Sequence, residues 1–286
     1  MADTKKYFET ALVEVDSVPP ISNVFHKIME LTEGSDTARD ELIRCVSLDQ
    51  GVAAKTFQII NSAYYGIRQE ISSLEVAVGL LGDKKVRDIA IMCATSGLLH
   101  SHMGGYGIPA DAFWLHSVRT AFAARLLADK LNPNIRETAF AAGLLHDIGK
   151  LVVDRLVEES QKEILLKPEG FISPDYHLRE SGLYGFDHCT VGFFLARKWN
   201  FSEELTAGIS FHHFPDFEVA HREIVRITCA ADLFAHLMDF EVLPPGLVAS
   251  LEEEGRIPVE LSHVEVEEIF TELKVEIDAS QAFLGV

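Results

Sequence analysis

The sequence predicts an all-α protein, a helical bundle of two packed subdomains. Apolar residues recur every three or four positions through most of the 286 residues, as they do on the buried faces of helices. Sustained alternation of apolar and polar residues, which is typical of strands, is scarce. A glycine-rich break at His100–Phe113 contains Pro109 and cannot continue a helix cheaply, so we place the join near residue 106. The expected subdomains are residues 1–106 and 107–286.

The helices of the N-terminal subdomain are predicted from apolar spacing and from residues that start or end helices. Pro19 and Pro20 block an earlier helix and favour a start just before the apolar positions of Ile21–Leu31. Ser72 or Ser73 is a candidate N-cap for a later helix that ends at Gly82. The same spacing predicts helices over Leu42–Val46, Val52–Ile60 and Leu74–Leu81.

The C-terminal subdomain is predicted to be helical as well. The helices or helix links expected from apolar spacing are Phe113–Leu131, Ile135–Leu156, Cys189–Trp199, Glu203–Phe211 and Glu223–Phe240. Lys167–Ser181 is less regular. Acidic residues dominate the last 35 positions, but apolar residues interleave with them between Val264 and Leu273. We therefore expect a final amphipathic helix that is packed on the body and has a solvated acidic face.

Charge and cysteine content exclude several classes of protein. The formal charge is −19, from 25 basic and 44 acidic residues, which argues against broad nucleic-acid binding. The first ten residues lack an apolar segment, and no stretch of about 20 apolar residues follows, so neither secretion nor a membrane span is predicted. The cysteines are far apart, which favours reduced, buried thiols over disulfides. They are Cys45, Cys93, Cys189 and Cys229. We expect a cytoplasmic protein.

The segment AGLLHDIGK, Ala142–Lys150, is the most informative part of the sequence. His146 and Asp147 follow an apolar helical run, Gly149 removes side-chain bulk beside them, and Lys150 comes one turn after His146. Imidazole and carboxylate together suit Zn, Fe, Mn or Ni. An isolated His-Asp pair also occurs on helix surfaces and as a hydrogen-bonded core histidine, so this dipeptide alone leaves the two interpretations open.

Several other polar residues interrupt apolar helical stretches. They are His116, His188, His212, His213 and Asp232. Burying imidazoles or a carboxylate without partners is costly, so such groups are usually hydrogen-bonded, paired or bound to metal. Each one alone is more often a hydrogen-bonded core residue, whereas the whole set favours a shared metal site.

The order of these residues resembles the H…HD…H…HH…D ligand series of the HD superfamily of metal-dependent phosphohydrolases. The chain more specifically resembles the HDOD domain, an HD-related output domain of bacterial signalling proteins, from Val18 to Ala235. The segments that carry the resemblance are Val18–Leu31, Asp49–Gly66, Ile71–Ala90, Trp114–Ser117 and Ala142–Val152. The resemblance implies that the second subdomain is an HD-like helical core.

The same resemblance implies a ligand set and a cofactor. The implied metal ligands are His116, His146, Asp147, His188, His212, His213 and Asp232. Asp147 would bridge two divalent transition-metal ions of Fe, Mn, Zn or Ni. His116 and Asp232 would complete the shell of one ion, and the three later histidines would hold the other. Lys150 would contact the substrate phosphate or the attacking water, so Asp147 and Lys150 are the expected catalytic residues.

Three functions are compatible with this resemblance. The first is a metal-dependent phosphohydrolase or phosphodiesterase acting on a small phosphate ester or a nucleotide. The second is a noncatalytic signalling or scaffold module that binds a protein partner, and the third is a di-iron oxygenase. The HD-GYP relatives that hydrolyse cyclic di-GMP carry a GYP segment absent from His212–Glu223, and often a glutamate where this chain has Ala112. Both departures argue against cyclic di-GMP as the substrate.

Overall fold

The part of the chain that the structure describes is predominantly helical. This computed structural model describes residues 2–31, 36–62, 67, 70–165, 176–217, 220–244 and 246–284. Within those ranges the only β contact is an isolated bridge between Met103 and Ile108. The predicted all-α class is therefore confirmed. Among the described helices, none combines the length and the apolar character needed to cross a bilayer.

The helices are numbered in chain order. They are α1 Ala2–Ser17, α2 Asn23–Glu30, α3 Asp36–Leu48, α4 Gln50–Ile60, α5 Leu74–Leu81, α6 Asp83–Leu99, α7 Ala110–Leu131, α8 Arg136–Leu145, α9 Lys150–Leu156, α10 Glu159–Leu165, α11 Tyr176–Tyr184, α12 His188–Lys198, α13 Glu203–Phe211, α14 Arg222–Leu237, α15 Leu247–Glu253 and α16 His263–Leu284. They form two compact units, residues 1–19 with 101–276 and residues 20–100 with 277–286. The predicted division at residues 106 and 107 stays a prediction.

The helix ends of the second unit follow local capping rules. Ser22, just after the two prolines, caps α2 by accepting from the Val24 amide at 3.2 Å. Asp49 caps α4 by accepting from the amides of Gly51 and Val52. Ser73 rather than Ser72 caps α5. Residues 63–66, at the end of the segment Asp49–Gly66, lie outside the described residues, as does most of the irregular stretch 167–181.

The first unit is a bundle in which α7, α8, α13 and α14 pack around one another and α12 packs on α13. Gly143 explains the close approach of α7 and α8. A Cβ atom there would lie 2.6 Å from the Thr120 carbonyl oxygen, so only glycine fits. The C-terminal end of α1 contacts the rest of this unit. There the Lys198 ammonium donates to three backbone carbonyls, those of Val15, Asp16 and Val18.

The acidic C-terminal helix is α16, and its part up to residue 276 belongs to the first unit. Four apolar side chains on one face of this helix are buried, namely Val266, Ile269, Phe270 and Leu273. Lys130 of α7 pairs with Glu265 and Glu268, which anchors the acidic side of the helix to the bundle. The predicted amphipathic helix is confirmed.

One predicted helical stretch contains a turn. The sequence predicted helices or helix links over Ile135–Leu156, and the structure has α8 up to Leu145, a turn over residues 146–149 and then α9 from Lys150. Ile148, inside the turn, is buried like the apolar residues of the two flanking helices. The apolar spacing of the sequence therefore runs through the turn without a break. His146 and Asp147 lie in this turn, where the backbone hydrogen bonds from Ile148 to Leu145 and from Lys150 to Asp147 span three residues.

Candidate metal centre

The turn between α8 and α9 is held against α12 by an exceptionally close backbone contact. A Cβ atom built on Gly149 would lie 1.9 Å from the His188 carbonyl oxygen and 2.8 Å from the Gly192 amide nitrogen. Side chains cannot be accommodated at such distances, so glycine is required here. The contact brings His188, the first residue of α12, to within reach of Asp147.

A first group of donor atoms converges from three segments of the unit. His116 comes from α7, His146 and Asp147 from the turn, and Asp232 from α14. The His116 Nε2 atom lies 3.2 Å from His146 Nε2 and 3.1 Å from Asp232 Oδ1. Asp147 Oδ2 lies 3.4 Å from His146 Nε2 and 3.8 Å from His116 Nε2. Ligand atoms about 2.1 Å from one ion are about 3.0–3.4 Å apart, so the spacing approaches that of a coordination shell.

A second group faces the other oxygen of Asp147. His188 Nε2 lies 3.3 Å from Asp147 Oδ1, and His212 Nε2, from the turn after α13, lies 3.8 Å from it. The two imidazole Nε2 atoms are 3.4 Å apart. Asp147 therefore presents one oxygen to each group, the geometry of a bridging carboxylate.

The hydrogen bonds of the imidazole rings leave their Nε2 atoms free to bind a cation. His146 Nδ1 donates to the Gly143 carbonyl at 2.8 Å, and His212 Nδ1 donates to the Ile209 carbonyl at 2.9 Å. A carbonyl oxygen can only accept, so the proton is on Nδ1 in both rings. His188 Nδ1 lies 2.8 Å from the Glu180 carboxylate. With the proton on Nδ1, each Nε2 carries a lone pair, and these lone pairs point toward the Asp147 carboxylate.

The surroundings of Asp147 fit a metal ion better than they fit a closed hydrogen-bond network. Among the described residues its buried Oδ1 atom has no hydrogen-bond partner, although it lies beside two imidazole nitrogens. A buried carboxylate oxygen without a donor is costly, and lone pairs facing one another repel. A cation placed among these atoms would satisfy all of them, and nitrogen and oxygen donors of this kind suit Zn, Fe, Mn or Ni.

Electrostatics also favour positive charge at this position. Burial opposes ionisation of Asp147, but His146 and Lys150 outweigh it and hold the pKa of the carboxyl well below its usual range. Burial lowers the pKa of His146, but Asp147 and Asp232 outweigh it and raise that pKa to about 10. The first group of donors therefore attracts a cation, either a proton on His146 or a metal ion. Burial and the neighbouring imidazoles hold the pKa of His212 well below its usual value, which keeps that ring neutral as a ligand must be.

The remaining predicted site residues line one cleft. Lys150 donates to Asp147 Oδ2 at 2.6 Å, and its ammonium lies 5.0 Å from the centre of the Tyr176 ring. The His213 ring stacks on the His177 ring, with 4.2 Å between the two ring centres. Its donor atom lies within 4.8 Å of those of His188 and His212, so it is near the second group. The cleft has a volume of about 340 Å³ and is also lined by His116, Asp147 and Asp232.

The sequence analysis missed several residues that support or extend the site. Glu180 is fully buried, accepts from the Tyr106 hydroxyl at 2.6 Å and binds both the backbone amide and Nδ1 of His188. No pattern in the sequence marks Glu180 or Tyr106. His236 had no motif support, yet its Nε2 lies 3.5 Å from Asp232 Oδ1 and its ring packs on His116. Its spacing of four residues from Asp232 on one helix is the signal that could have identified it.

We predict that Glu180→Gln weakens metal binding about 10–100-fold, the usual effect of losing a charged partner behind a histidine ligand. The carboxylate fixes the His188 tautomer and increases the basicity of its Nε2, and a neutral amide does this less well. The measurement is a competition titration with a chromogenic chelator. Tyr184→Phe is the matched control, because Tyr184 lies on the same helix but its hydroxyl bonds to Gln161 instead. Equal affinities in the two variants would contradict this role of Glu180.

Comparison with known proteins identifies the family. The HDOD domain matches residues 18–215, which is most of the chain. The chain belongs to the HDOD family. The predicted resemblance is confirmed, although Asp232 lies beyond the matched residues of the HDOD domain. An HDOD protein of unknown function from Geobacter sulfurreducens is 27% identical, with a TM-score of 0.72 over 96% of this chain and 98% of that one.

Two further solved structures share the fold, and one curated relative matches in sequence, all at lower identity. A Shewanella amazonensis SB2B protein, provisionally named a phosphohydrolase, has a TM-score of 0.73 at 21% identity, over 96% of this chain and 98% of that one. A second protein of that organism, provisionally named a metal-dependent phosphohydrolase, has a TM-score of 0.59 at 19% identity, over 98% and 99% of the two chains. An uncharacterized Treponema pallidum protein is 21% identical over 86% of this chain. The chain spans 48% of the length of that curated relative.

Proposed function

We propose that this HDOD protein is a metal-dependent phosphohydrolase with a dinuclear centre bridged by Asp147. The observation that carries the proposal is the placement of the two Asp147 oxygens, each of which faces its own group of imidazole nitrogens. Four side chains would hold the first ion, namely His116, His146, Asp147 and Asp232. Asp147, His188 and His212 would hold the second, with His213 nearby. Divalent ions bound there would stabilise phosphate oxygens and lower the pKa of water.

The side chains of the cleft have complementary roles. Lys150 is buried beside Asp147 and adds a positive charge where negative charge develops on a reacting phosphate. Arg119 also lines the cleft, and one of its guanidinium nitrogens donates to Asp239 at 2.9 Å. Both cations attract an anionic substrate into a cleft that is otherwise flanked by carboxylates.

The volume of the cleft limits the substrate class. About 340 Å³ is near the lower end of the roughly 300–1,000 Å³ that small-molecule sites occupy. We therefore propose a small phosphate ester or a mononucleotide as the substrate and place the reaction in the cytoplasm. The names given to the two Shewanella amazonensis relatives are consistent with this chemistry. The competing function is a noncatalytic signalling module in which the same side chains hold a structural metal.

We predict that the reconstituted protein hydrolyses p-nitrophenyl phosphate or its bis-ester, and that Lys150→Gln lowers kcat about 100-fold or more while both metals stay bound. The reason is that the lysine acts on the reacting phosphate, and removing one such preorganised charge typically costs about 10²–10³ in rate. The measurement combines steady-state kinetics with metal analysis, and His146→Ala is expected to abolish the activity.

Lys162→Gln is the control for this experiment, because Lys162 pairs with Glu159 on the surface of α10. It should retain full activity. A metal-loaded parent that hydrolyses neither ester would contradict the phosphohydrolase function and favour the noncatalytic module.

A further inference from the structure

A second pocket of the first unit, with a volume of about 450 Å³, shares no described lining residue with the metal cleft. Five phenylalanines line it, namely Phe193, Phe194, Phe211, Phe214 and Phe217. Three of them, Phe193, Phe214 and Phe217, are exposed. Single exposed apolar side chains are ordinary, but a cluster of aromatic rings around a cavity of this volume is typical of a small-molecule site.

Asp187 is the one charged side chain among the described residues that line this pocket. It is only 5% exposed and caps α12, because its Oδ1 atom accepts from the amide and from the hydroxyl of Thr190, both at 2.8 Å. Within the described part of the chain, no hydrogen bond reaches its Oδ2 atom and no basic side chain pairs with it. A buried carboxylate without a cationic partner is costly. The pocket therefore has a negative charge that a ligand can neutralise.

The aromatic lining favours a cation as well. Phe193 meets Phe194 edge to face, with 5.5 Å between the ring centres, and Phe211 lies nearly parallel to Phe217, with 6.0 Å between the centres. The face of an aromatic ring carries partial negative charge and attracts a cation that lies within about 6 Å of its centre. Carboxylate and aromatic rings together are the chemistry that recognises organic cations.

We propose that this pocket binds a small organic ammonium ion with an aromatic body. The ammonium group donates to Asp187 Oδ2, and the body of the ligand packs against the phenylalanine rings. A primary ammonium suits the site better than a quaternary one, because only the former can donate a hydrogen bond to the carboxylate. The net charge of −19 disfavours an anionic ligand. This inference does not rest on the proposed phosphohydrolase function, since the two sites share no lining residue.

The test is a ligand-detected NMR titration of the full-length protein at neutral pH with three compounds of similar shape. Phenethylamine is the cation, phenethyl alcohol its neutral counterpart and phenylacetate its anionic counterpart. We expect the amine to bind at least about tenfold more tightly than the alcohol, as one charge-assisted hydrogen bond allows, and phenylacetate not to bind. Asp187→Asn should remove this preference, because asparagine still caps α12 but has no charge. Phe217→Ala should weaken binding of both the amine and the alcohol.

Glu203→Gln is the matched control for the loss of one negative charge, because Glu203 is exposed in the first turn of α13 and does not line the pocket. It should keep the parent affinity for the amine, which separates the site from general attraction to an acidic protein. Equal binding of the amine and the alcohol, or an Asp187→Asn protein that keeps the preference, would overturn the proposal. So would a parent that binds none of the compounds but sediments as a dimer that Phe217→Ala dissociates, because the pocket would then be a contact between two copies of the chain.

Discussion

Replacing Asp147 by asparagine is expected to remove both metal ions from the protein. Its Oδ2 atom faces the first group of donors, 3.4 Å from His146 Nε2, and its Oδ1 atom faces the second group, 3.3 Å from His188 Nε2. The substitution keeps the shape of the side chain but removes its charge and turns one oxygen into an N–H donor, which repels a cation. We expect metal content to fall from two equivalents to nearly none, as measured by elemental analysis of protein purified without added metal.

Asp239→Asn is the control for the loss of an acidic residue. Asp239 lines the same cleft and pairs with Arg119, but it belongs to neither donor group. The metal content of the Asp239→Asn protein should equal that of the parent. If Asp147→Asn kept one full equivalent, the carboxylate would serve a single ion and the bridging role would be wrong.

Gly149→Ala is expected to produce the second large effect, on stability and on metal binding together. The new methyl group would meet the His188 backbone oxygen at 1.9 Å, and neither segment can move without displacing a ligand. Overpacking of this severity costs about 3 kcal/mol or more. For a chain of this size that lowers Tm by about 6 °C or more, measured by circular dichroism. Metal affinity should fall as well, because His188 moves away from Asp147.

Gly182→Ala is the matched glycine substitution. Gly182 lies in α11 of the same unit, and within the described part of the chain a Cβ atom there would meet nothing outside its own helix backbone within 4 Å. Helix propensity then favours alanine by about 0.5–1 kcal/mol, so Tm should stay the same or rise slightly. Equal Tm values for the two variants would contradict the close contact between the turn and α12.

The sequence predicted much of the fold because helix periodicity and capping are local properties. Pro19-Pro20 before α2, Gly82 after α5 and the apolar stripe of α16 each mark a feature that the structure has. The turn at residues 146–149 was not predicted, because its apolar spacing is that of a helix. The close contact of Gly149 with α12 is tertiary and has no counterpart in that spacing.

The candidate site was predictable to the extent that its residues interrupt apolar helices. His116, His188 and His212 were noticed for that reason, and the structure brings them together with His146, Asp147 and Asp232. Residues that act through a partner carry no such signal. Glu180 matters because it reaches His188 from eight positions away, and Tyr106 because it reaches Glu180 from 74 positions away. Contacts of this kind depend on tertiary packing, which a single sequence does not display.

The central claim is that Asp147 bridges two metal ions, and anomalous X-ray diffraction from crystals of the Co²⁺-loaded protein tests it most directly. Our account predicts two anomalous peaks about 3.5–4 Å apart, the spacing of two-metal catalytic sites, with one Asp147 oxygen beside each. The peak near Asp147 Oδ2 should also touch His116, His146 and Asp232, and the other should touch His188 and His212. A single peak, or two peaks of which one lies away from Asp147, would contradict the dinuclear centre.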